Sequence, residues 1–345
     1  MTEQQLLDSA RTGDERAFGE LVDPHRNGLF AHCYRMLGSP QDAEDALQET
    51  LLRAWRGLER FEGRSSPRSW LYTIATNASL RAIERRPPRV MPLDHGPSTD
   101  PHVGPGAPLA ESVWVEPLAD EPLALPDGLA SPEARYEQRE SVELAFVAAL
   151  QTLSARQRAV LILRDVLGFS AREAGETLGA SPASVDSALQ RARGTLESHL
   201  PQRSQQAALS AVGDKRLKEI VERYMDAWGR GDAHALAAIL AEEATISMPP
   251  HSAWYQGRDA VERFVAGYPM ARGRRWPSVQ ISANGQLAFA HYLRDAADGA
   301  LRPHSICVID VDGERIAGIT SFLMPRLFAA FGLGETPLRP PARRP

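Results

Sequence analysis

The amino-acid sequence predicts a multidomain chain in which two all-α domains are followed by an α+β domain. Prolines recur through residues 87–132 at a density that neither a helix interior nor a central strand accepts, so this stretch separates two helical segments. Amphipathic helical spacing dominates on both sides of it. After about residue 214 the pattern changes to alternating strands, with type I′ hairpin signals at Asn284-Gly285 and Asp312-Gly313.

The composition is that of a globular chain with an uneven distribution of charge. Hydrophobic residues make up 43%, and no apolar run is long enough to span a membrane. The N-terminus lacks the basic start and apolar core of a secretory signal, so we expect a cytoplasmic location. The net charge is −5, yet arginines cluster in 64–89 and acids in 87–131. Cys33 and Cys307 lack zinc-ligand spacing, so we expect buried thiols and predict neither a metal nor a cofactor.

The N-terminal segment contains two helices with different surfaces. Ser39-Pro40 forms the N-cap and first turn of one helix, and Asp42 completes a capping-box-like pattern. This helix has one apolar face and one charged face. The next helix begins at Ser66-Pro67 and stops before Pro87-Pro88. It carries aromatic, hydrogen-bonding and cationic side chains along one rod.

The segment of about 133–199 is predicted to form four helices. Capping boxes begin two of them, at Ser154-x-x-Gln157 and Ser170-x-x-Glu173. The last two helices, about 171–178 and 182–198, are joined by Gly179-Ala180-Ser181. A short turn of this kind between two capped helices is typical of a helix-turn-helix.

Three motifs carry a resemblance to a known family: Asp42 to Thr50, Trp70 to Asn77, and Phe169 to Ala174 with Val185 to Arg193. Together they resemble the extracytoplasmic-function class of sigma factors over about residues 5–200. The resemblance implies that the chain binds the RNA polymerase core, through its β′ and β subunits, and promoter DNA. It leaves open an anti-sigma factor or a small ligand as a further partner. Thr76 and Asp186 stand where a basic residue is common, so the promoter sequence cannot be carried over.

The resemblance implies three sets of site residues. The first helix docks on the clamp helices of β′, with candidates Asp42, Asp45, Gln48, Glu49 and Arg53. The second helix melts and reads the −10 element, with candidates Trp70, Tyr72, Thr73, Thr76, Asn77, Arg81, Arg85 and Arg86. The helix-turn-helix reads the −35 element, with candidates Arg172, Ser184, Ser187, Gln190, Arg191 and Arg193.

The chemistry of these side chains fits those roles. Aromatic rings give unstacked bases a stacking surface, and arginines hold phosphates. Arginine and glutamine can pair with guanine and adenine in the major groove. Core packing remains the alternative for Trp70, and a solvated face remains the alternative for the arginine run.

The acidic proline-rich stretch between the helical segments has two interpretations. In the family, the equivalent linker threads the RNA exit path of the polymerase, where negative charge can mimic nucleic acid. A flexible tether is the alternative. The stretch also carries apolar groups such as Trp114 and Val115, which favour a segment lying in a groove.

The C-terminal segment resembles the SnoaL-like fold, a cone of curved sheet and helices around a pocket. The resemblance rests on Tyr224 to Asp232, Trp254 to Ala260 and the strand order. Candidates for the pocket lining are Met248, Trp254, Phe264, His291 and Phe322, with plain core packing as the alternative. The stretch Ala244 to Gly257 has a histidine but no carboxylate. Without an acid-base pair, we expect binding or docking and not catalysis.

The sequence therefore predicts a non-catalytic sigma factor whose SnoaL-like domain modulates its activity. Expected boundaries are 1–90 for the polymerase and −10 domain, 91–131 for the linker, 132–200 for the helix-turn-helix domain, 214–330 for the SnoaL-like domain and 331–345 for a tail. Two alternatives stay open: a ligand-sensing helix-turn-helix repressor, and a DNA-tethered SnoaL-like isomerase or cyclase.

Overall fold

A computed structural model describes residues 1–63, 65–110, 113–120, 140–201, 203–295 and 298–333. The described residues form two compact units. The first unit comprises those within 1–89 and 120–201, and the second comprises those within 90–119 and 202–345. Most of the predicted tail, the end of the predicted linker and the start of the predicted four-helix segment lie outside the described residues.

The N-terminal part of the first unit is helical, as predicted. Its helices are α1 (Glu3–Arg11), α2 (Glu15–Leu37), α3 (Pro40–Gly57) and α4 (Pro67–Glu84). Ser39 begins α3, where its hydroxyl accepts a hydrogen bond from the backbone N–H of Asp42 at 3.4 Å. Ser66 begins α4 in the same way, by accepting from the N–H of Ser69 at 3.1 Å. The apolar face of α3 is buried along Ala43, Ala46, Leu47, Thr50 and Ala54.

The C-terminal part of the first unit contains the predicted helix-turn-helix. Its helices are α5 (Leu144–Gln151), α6 (Ala155–Leu161, followed by a π-helical turn over Ile162–Val166), α7 (Ala171–Leu178) and α8 (Pro182–Glu197). Both predicted capping boxes form. Gly179 ends α7 in the left-handed conformation, with φ of 60°. Gly175 allows α7 to approach the turn, because a Cβ there would lie 2.5 Å from the carbonyl oxygen of Ala180.

The second unit is the predicted α+β domain. Besides a one-turn helix over Pro92–His95, its helices are α9 (Gln205–Val212), α10 (Asp214–Arg230), α11 (Ala233–Ala237) and α12 (Arg258–Gly267). The strands are β1 (Leu240–Ser247), β2 (Trp254–Gln256), β3 (Ser278–Ala283), β4 (Gln286–Arg294), β5 (Leu301–Asp312) and β6 (Arg315–Phe322). They form one sheet in the order β2-β1-β6-β5-β4-β3, antiparallel except between β1 and β6. Helix α9 lies between the expected end of the helix-turn-helix domain at residue 200 and the expected start of the SnoaL-like domain at 214.

The two predicted hairpins form, but with different turns. Asn284 and Gly285 have φ of 56° and 69°, as a type I′ turn requires. At the β5–β6 hairpin Asp312 pairs with Arg315, and Gly313 has φ of 55°. Asp312 belongs to the strand and has no positive φ, so the type I′ prediction is wrong at this turn.

Nearly all of the described part of the linker, up to residue 119, belongs to the second unit. Its two ends meet, because Val90 donates to Val113 at 2.8 Å and accepts from Val115 at 3.1 Å. Trp114 and Val115 are fully buried. Near the C-terminal end, Leu118 donates to the side-chain oxygen of Asn284 at 2.9 Å. The alternative of a flexible tether is therefore wrong for the described residues of this segment.

Among the described residues, no helix combines the length and apolar character needed to cross a membrane. Cys33 and Cys307 are both buried and free, as predicted. Burial raises the pKa of Cys33 to about 12 and raises that of Cys307 as well.

Candidate nucleic-acid interface

The charged face of α3 is the candidate surface for polymerase. Asp45, Gln48 and Arg53 are exposed on it, and Glu49 is half-buried. Leu52 lies on the same helix, and its exposure of 44% is unusual for a large apolar side chain. Leu52 is not among the candidate residues that the sequence suggested, although helical spacing already places it off the apolar face.

Asp42 differs from the other members of this set, because it is 6% exposed. Its carboxylate pairs with the guanidinium of Arg86 and with that of Arg89, the latter at 2.7 Å. Arg89 is buried too. The expectation that Asp42 belongs to the exposed charged face is therefore wrong: its side chain ties α3 to the segment that follows α4.

A cleft of about 260 Å³ lies between α3 and α4. It joins two sets of residues that the sequence suggested as separate. Its lining comprises Asp42, Asp45, Ala46, Glu49 and Arg53 from α3 and Ala78, Arg81, Ala82, Arg85 and Arg86 from the other side. Burial lowers the pKa of Arg81; the nearby charge of Arg53 adds to this effect, and that of Glu49 opposes it.

The aromatic and hydroxyl residues of α4 are largely engaged inside the first unit. Tyr72 and Thr76 are buried. The Thr76 hydroxyl donates to the carbonyl of Tyr72 at 2.7 Å and lies 3.0 Å from Nε2 of His32. Asn77 is half-buried and donates to the carbonyl of Thr73 at 2.9 Å. Tyr72 and Thr76 are therefore shielded from solvent in this conformation, whereas Asn77 remains partly accessible.

Trp70 stacks on Phe61, with ring centroids 4.7 Å apart, and packs against the apolar cluster around Leu7 and Leu21. It remains half-buried. Trp70 therefore takes part in core packing, which was the alternative interpretation of this residue, while part of its side chain stays exposed.

The reader helix α8 presents most of its candidate residues to solvent. Ser184, Ser187, Gln190 and Arg191 are exposed, while Val185, Leu189 and Ala192 are buried beneath them. This alternation follows from a helix that packs along one stripe. The opposite stripe is therefore available to a DNA groove.

Two arginines of the helix-turn-helix have partners within the protein. Arg193 donates two hydrogen bonds to the carboxylate of Asp165, at 2.8 and 2.7 Å. Arg172 forms an exposed ion pair with Glu176 at 3.6 Å. An exposed ion pair one helical turn apart contributes little to stability, so Arg172 can readily exchange Glu176 for a DNA phosphate. The two hydrogen bonds to Asp165 hold Arg193 more firmly.

The interior of the α+β domain holds a buried polar cluster. The Tyr224 hydroxyl lies 3.3 Å from Nε2 of His291, and the Cys307 thiol lies 3.1 Å from the Ser321 hydroxyl. Burial, with a smaller effect from His304, lowers the pKa of His291 to about 3, so its ring is neutral.

The structure divides the five candidates for the pocket lining. Met248 and Phe264 belong to the interior cluster, and His291 contacts Tyr224 and Trp228 of that cluster. Cys307 faces the interior cluster, and neighbouring strand positions face opposite sides of the sheet. Phe322 pairs with Ile306, the position before Cys307, so the Phe322 side chain points away from the interior cluster. Trp254 comes directly before Tyr255, which faces the interior cluster, so the Trp254 side chain also points to the other face of the sheet. A lining shared by all five residues is therefore wrong.

Acid is expected to destabilise the fold, because two buried histidines and one half-buried histidine are held in neutral form. Burial lowers the pKa of His32 and His291 to about 3 and that of His304 to about 4. The unfolded chain takes up these protons below about pH 6.5, whereas the folded chain does not. The free energy of unfolding is therefore expected to decrease as the pH falls from 6.5 towards 4. Each histidine contributes a decrease of up to about 1.4 kcal/mol per pH unit.

Asp310, whose pKa burial raises to about 6, opposes this trend, but it is one group against three. Urea unfolding between pH 7.5 and 4.5 measures the net slope. His291→Gln is expected to flatten it, and the same change at the exposed His199 is expected to leave it unaltered. A free energy of unfolding that stays constant on acidification would contradict the prediction.

Comparisons with known proteins agree with this architecture. Family models match Sigma-70 region 2 at residues 21–87, Sigma-70 region 4 at 143–196 and a SnoaL-like domain at 221–319. These matches correspond to the N-terminal helices, the helix-turn-helix segment and the α+β domain.

Two relatives and one solved structure extend along nearly the whole chain. The ECF RNA polymerase sigma factor SigG of Mycobacterium tuberculosis H37Rv is 42% identical over 328 residues, which cover 94% of this chain and 85% of SigG. SigJ of the same organism is 25% identical over 328 residues, 92% of this chain and 95% of SigJ. The crystal structure of SigJ matches the fold with a TM-score of 0.58 and 22% identity, covering 90% of this chain and 97% of that one.

The three domain matches, in this order, and the near full-length similarity to SigG agree with the helical and α+β units of the structure. The chain belongs to the extracytoplasmic-function RNA polymerase sigma factors and carries a C-terminal SnoaL-like domain.

Proposed function

We propose that this sigma factor docks on the β′ clamp helices of the polymerase core through the exposed face of α3, reads the −10 element with α4 and reads the −35 element with α8. The exposed stripe of α8, with Gln190 and Arg191, supports the last role. The charged cleft between α3 and α4 supports the roles in polymerase docking and −10 recognition. Its α3 side carries candidates for contact with polymerase, and its other side carries arginines that could hold DNA phosphates.

The SnoaL-like domain modulates this activity by holding the linker. The observation that carries this proposal is a set of hydrogen bonds to residues 96–109, which we call the strap. Trp254 donates its ring N–H to Gly96 at 2.8 Å, Tyr255 its hydroxyl to Val103 at 2.9 Å, and Tyr268 its hydroxyl to His102 at 3.1 Å.

Backbone groups strengthen the same attachment. Thr99 donates to the carbonyl of Trp254 at 2.7 Å, and Leu109 donates to that of Pro250 at 2.8 Å. A segment held in this way cannot at the same time follow a path through the polymerase. Holoenzyme formation must therefore compete with the SnoaL-like domain for the linker, and anything that changes the attachment changes promoter output.

The SnoaL-like domain acts without catalysis. Neutral His291 is hydrogen-bonded to Tyr224, and Asp310 of β5 accepts from Gln286 at 2.8 Å on the other face of the sheet. Incubating the purified chain with ketone and polyketide substrates tests this, and turnover would contradict it. An anti-sigma factor or a small ligand as a further partner, and a cytoplasmic location, stay predictions.

Run-off transcription with purified core tests the modulation. A genomic fragment library first supplies a promoter that the holoenzyme uses. We expect deletion of residues 205–345 to change output from that promoter. A triple variant, Trp254→Phe with Tyr255→Phe and Tyr268→Phe, removes three strap hydrogen bonds while keeping an aromatic ring at each position, and should change output in the same direction. Each bond contributes about 0.5–1.5 kcal/mol.

Tyr292→Phe provides the matched control, because it removes a hydroxyl on β4 that none of these strap bonds uses. Native output is expected from this variant. If the deletion and the triple variant both leave output and core affinity unchanged, the linker attachment has no regulatory role.

A further inference from the structure

The loop between α12 and β3 concentrates positive charge on the second unit. Arg272, Arg274 and Arg275 lie in it, and all three are exposed. We call residues 271–276 the arginine loop. It contains no acid, although the net charge of the whole chain is −5. A local patch of this kind attracts anions even when the protein as a whole is acidic, because charges beyond about 10 Å are screened by salt.

The guanidinium groups of this loop differ in their surroundings from most others of the second unit. Several arginines of this unit form ion pairs with acids: Arg216, Arg230, Arg302 and Arg326. Others donate to backbone carbonyls: Arg258, Arg294 and Arg315. Within the part of the chain that the structure describes, Arg272, Arg274 and Arg275 have neither an ion pair nor a side-chain hydrogen bond. Their charge is therefore available to an external anion.

The arginine loop is anchored at both ends, so its backbone is fixed. Met270 and Trp276 are 3% and 4% exposed. The backbone N–H of Trp276 donates to Trp228 at 2.9 Å, and its ring N–H donates to Pro269 at 2.8 Å. Between these anchors Arg272 has φ of 58°, which residues with a side chain rarely adopt.

The end of α10 holds the middle of the same loop. Gly231 ends α10 in the left-handed conformation, with φ of 69°. A Cβ at this position would lie 2.5 Å from the carbonyl oxygen of Arg274, so the close approach requires glycine. A loop with a fixed backbone loses less conformational entropy on binding than a flexible loop does.

We propose that the arginine loop binds the phosphate backbone of promoter DNA, so that the SnoaL-like domain adds a sequence-independent contact to promoter binding. Guanidinium groups pair with phosphates through two parallel hydrogen bonds. Duplex DNA carries one charge per about 1.7 Å of its axis, so clustered arginines meet phosphates in any register. The inference needs only the promoter DNA that the family binds, and it involves none of the residues that hold the strap.

The salt dependence of promoter binding tests this proposal. The probe is a fluorescently labelled promoter duplex, titrated at several salt concentrations with holoenzyme assembled at saturating core. The loop variant carries Arg272→Gln, Arg274→Gln and Arg275→Gln. Each lost phosphate contact should lower the slope of log affinity against log salt concentration by about 0.9, or by up to about 2.7 for three contacts. The ratio of affinities for native and scrambled promoters should not change, because phosphate contacts carry no sequence information.

Lys215→Gln with Arg223→Gln and Arg263→Gln is the matched control. These cations of α10 and α12 are exposed and, among the described residues, have no ion pair, so the net charge changes equally. We expect this variant to keep the native slope, and both variants to keep the native free energy of unfolding. An unchanged slope in the loop variant, or an equal decrease in both variants, would overturn the proposal. Weaker core binding with an unchanged DNA slope would assign the loop to polymerase and overturn it too.

Photocrosslinking tests the same contact without varying salt. A photoactivatable azidophenacyl group is attached to Arg275→Cys, and the native Cys33 and Cys307 are buried and should escape labelling. In the holoenzyme–promoter complex this label should crosslink to DNA, whereas a label at Arg223→Cys should not. Crosslinks to polymerase subunits alone would refute the contact with DNA.

Discussion

Replacing Asp42 with alanine should lower the free energy of unfolding by about 3–5 kcal/mol, as expected when one partner of a buried ion pair is removed. The side chains of Asp42 and Arg89 are 6% and 7% exposed, and Arg86 binds the other carboxylate oxygen. Alanine would leave the buried Arg89 guanidinium without this counter-charge. Urea unfolding followed by circular dichroism measures the loss.

Asp45 is the matched control, because it is an acid on the same helix one turn further on, but exposed. Asp45→Ala should change the unfolding free energy by less than about 1 kcal/mol. It should instead weaken binding to the polymerase core, measured by fluorescence anisotropy of the labelled chain. If Asp42→Ala and Asp45→Ala have the same effect on stability, Asp42 is not the tie between α3 and the segment after α4 that the ion pairs indicate.

Replacing both Gln190 and Arg191 with alanine should remove most recognition of the −35 element. Each side chain that makes a good bidentate contact with a base contributes about 1–3 kcal/mol of discrimination. Loss of one such contact therefore corresponds to about 5–150-fold in affinity. Electrophoretic mobility shifts with duplexes carrying the native and a scrambled −35 element measure the loss of discrimination directly.

Arg193→Ala supplies the comparison within the same helix. Arg193 donates two hydrogen bonds to Asp165, and this partner raises its pKa. Its removal should weaken binding to both duplexes by similar factors and leave their ratio nearly unchanged, as expected for a residue that does not read a base. A native-to-scrambled ratio that falls with Arg193→Ala but not with the double variant would refute the assignment of base readers on α8.

Local sequence signals were sufficient for the elements that carry the candidate sites. Ser39, Ser66, Ser170 and Ser181 each begin the helix that their capping pattern predicts. Gly179 ends α7 as expected, and Asn284-Gly285 forms the predicted turn. A cap or a tight turn depends on atoms within a few residues, so the order of the amino acids already specifies it.

The same signals were insufficient where a side chain has two chemically reasonable partners. Asp42 fits an exposed polymerase surface as well as a buried pair with Arg89, and Tyr72 fits base stacking as well as packing against Phe169. Phe322 and His291 fit one pocket by composition, yet they lie on opposite faces of the sheet. A shift of one strand position exchanges the two faces, and composition does not encode that register.

The sequence by itself determined the kinds of domain, their order, the helix-turn-helix and the motifs of a sigma factor, because these depend on short-range spacing and on residue types. Only the tertiary structure decided that the linker strap lies on the SnoaL-like domain and that α7 contacts α4. Both arrangements join residues about 100 or more positions apart, such as Thr73 with Thr177 and Gly96 with Trp254. The folded chain selects such contacts by shape and burial, which no local pattern specifies.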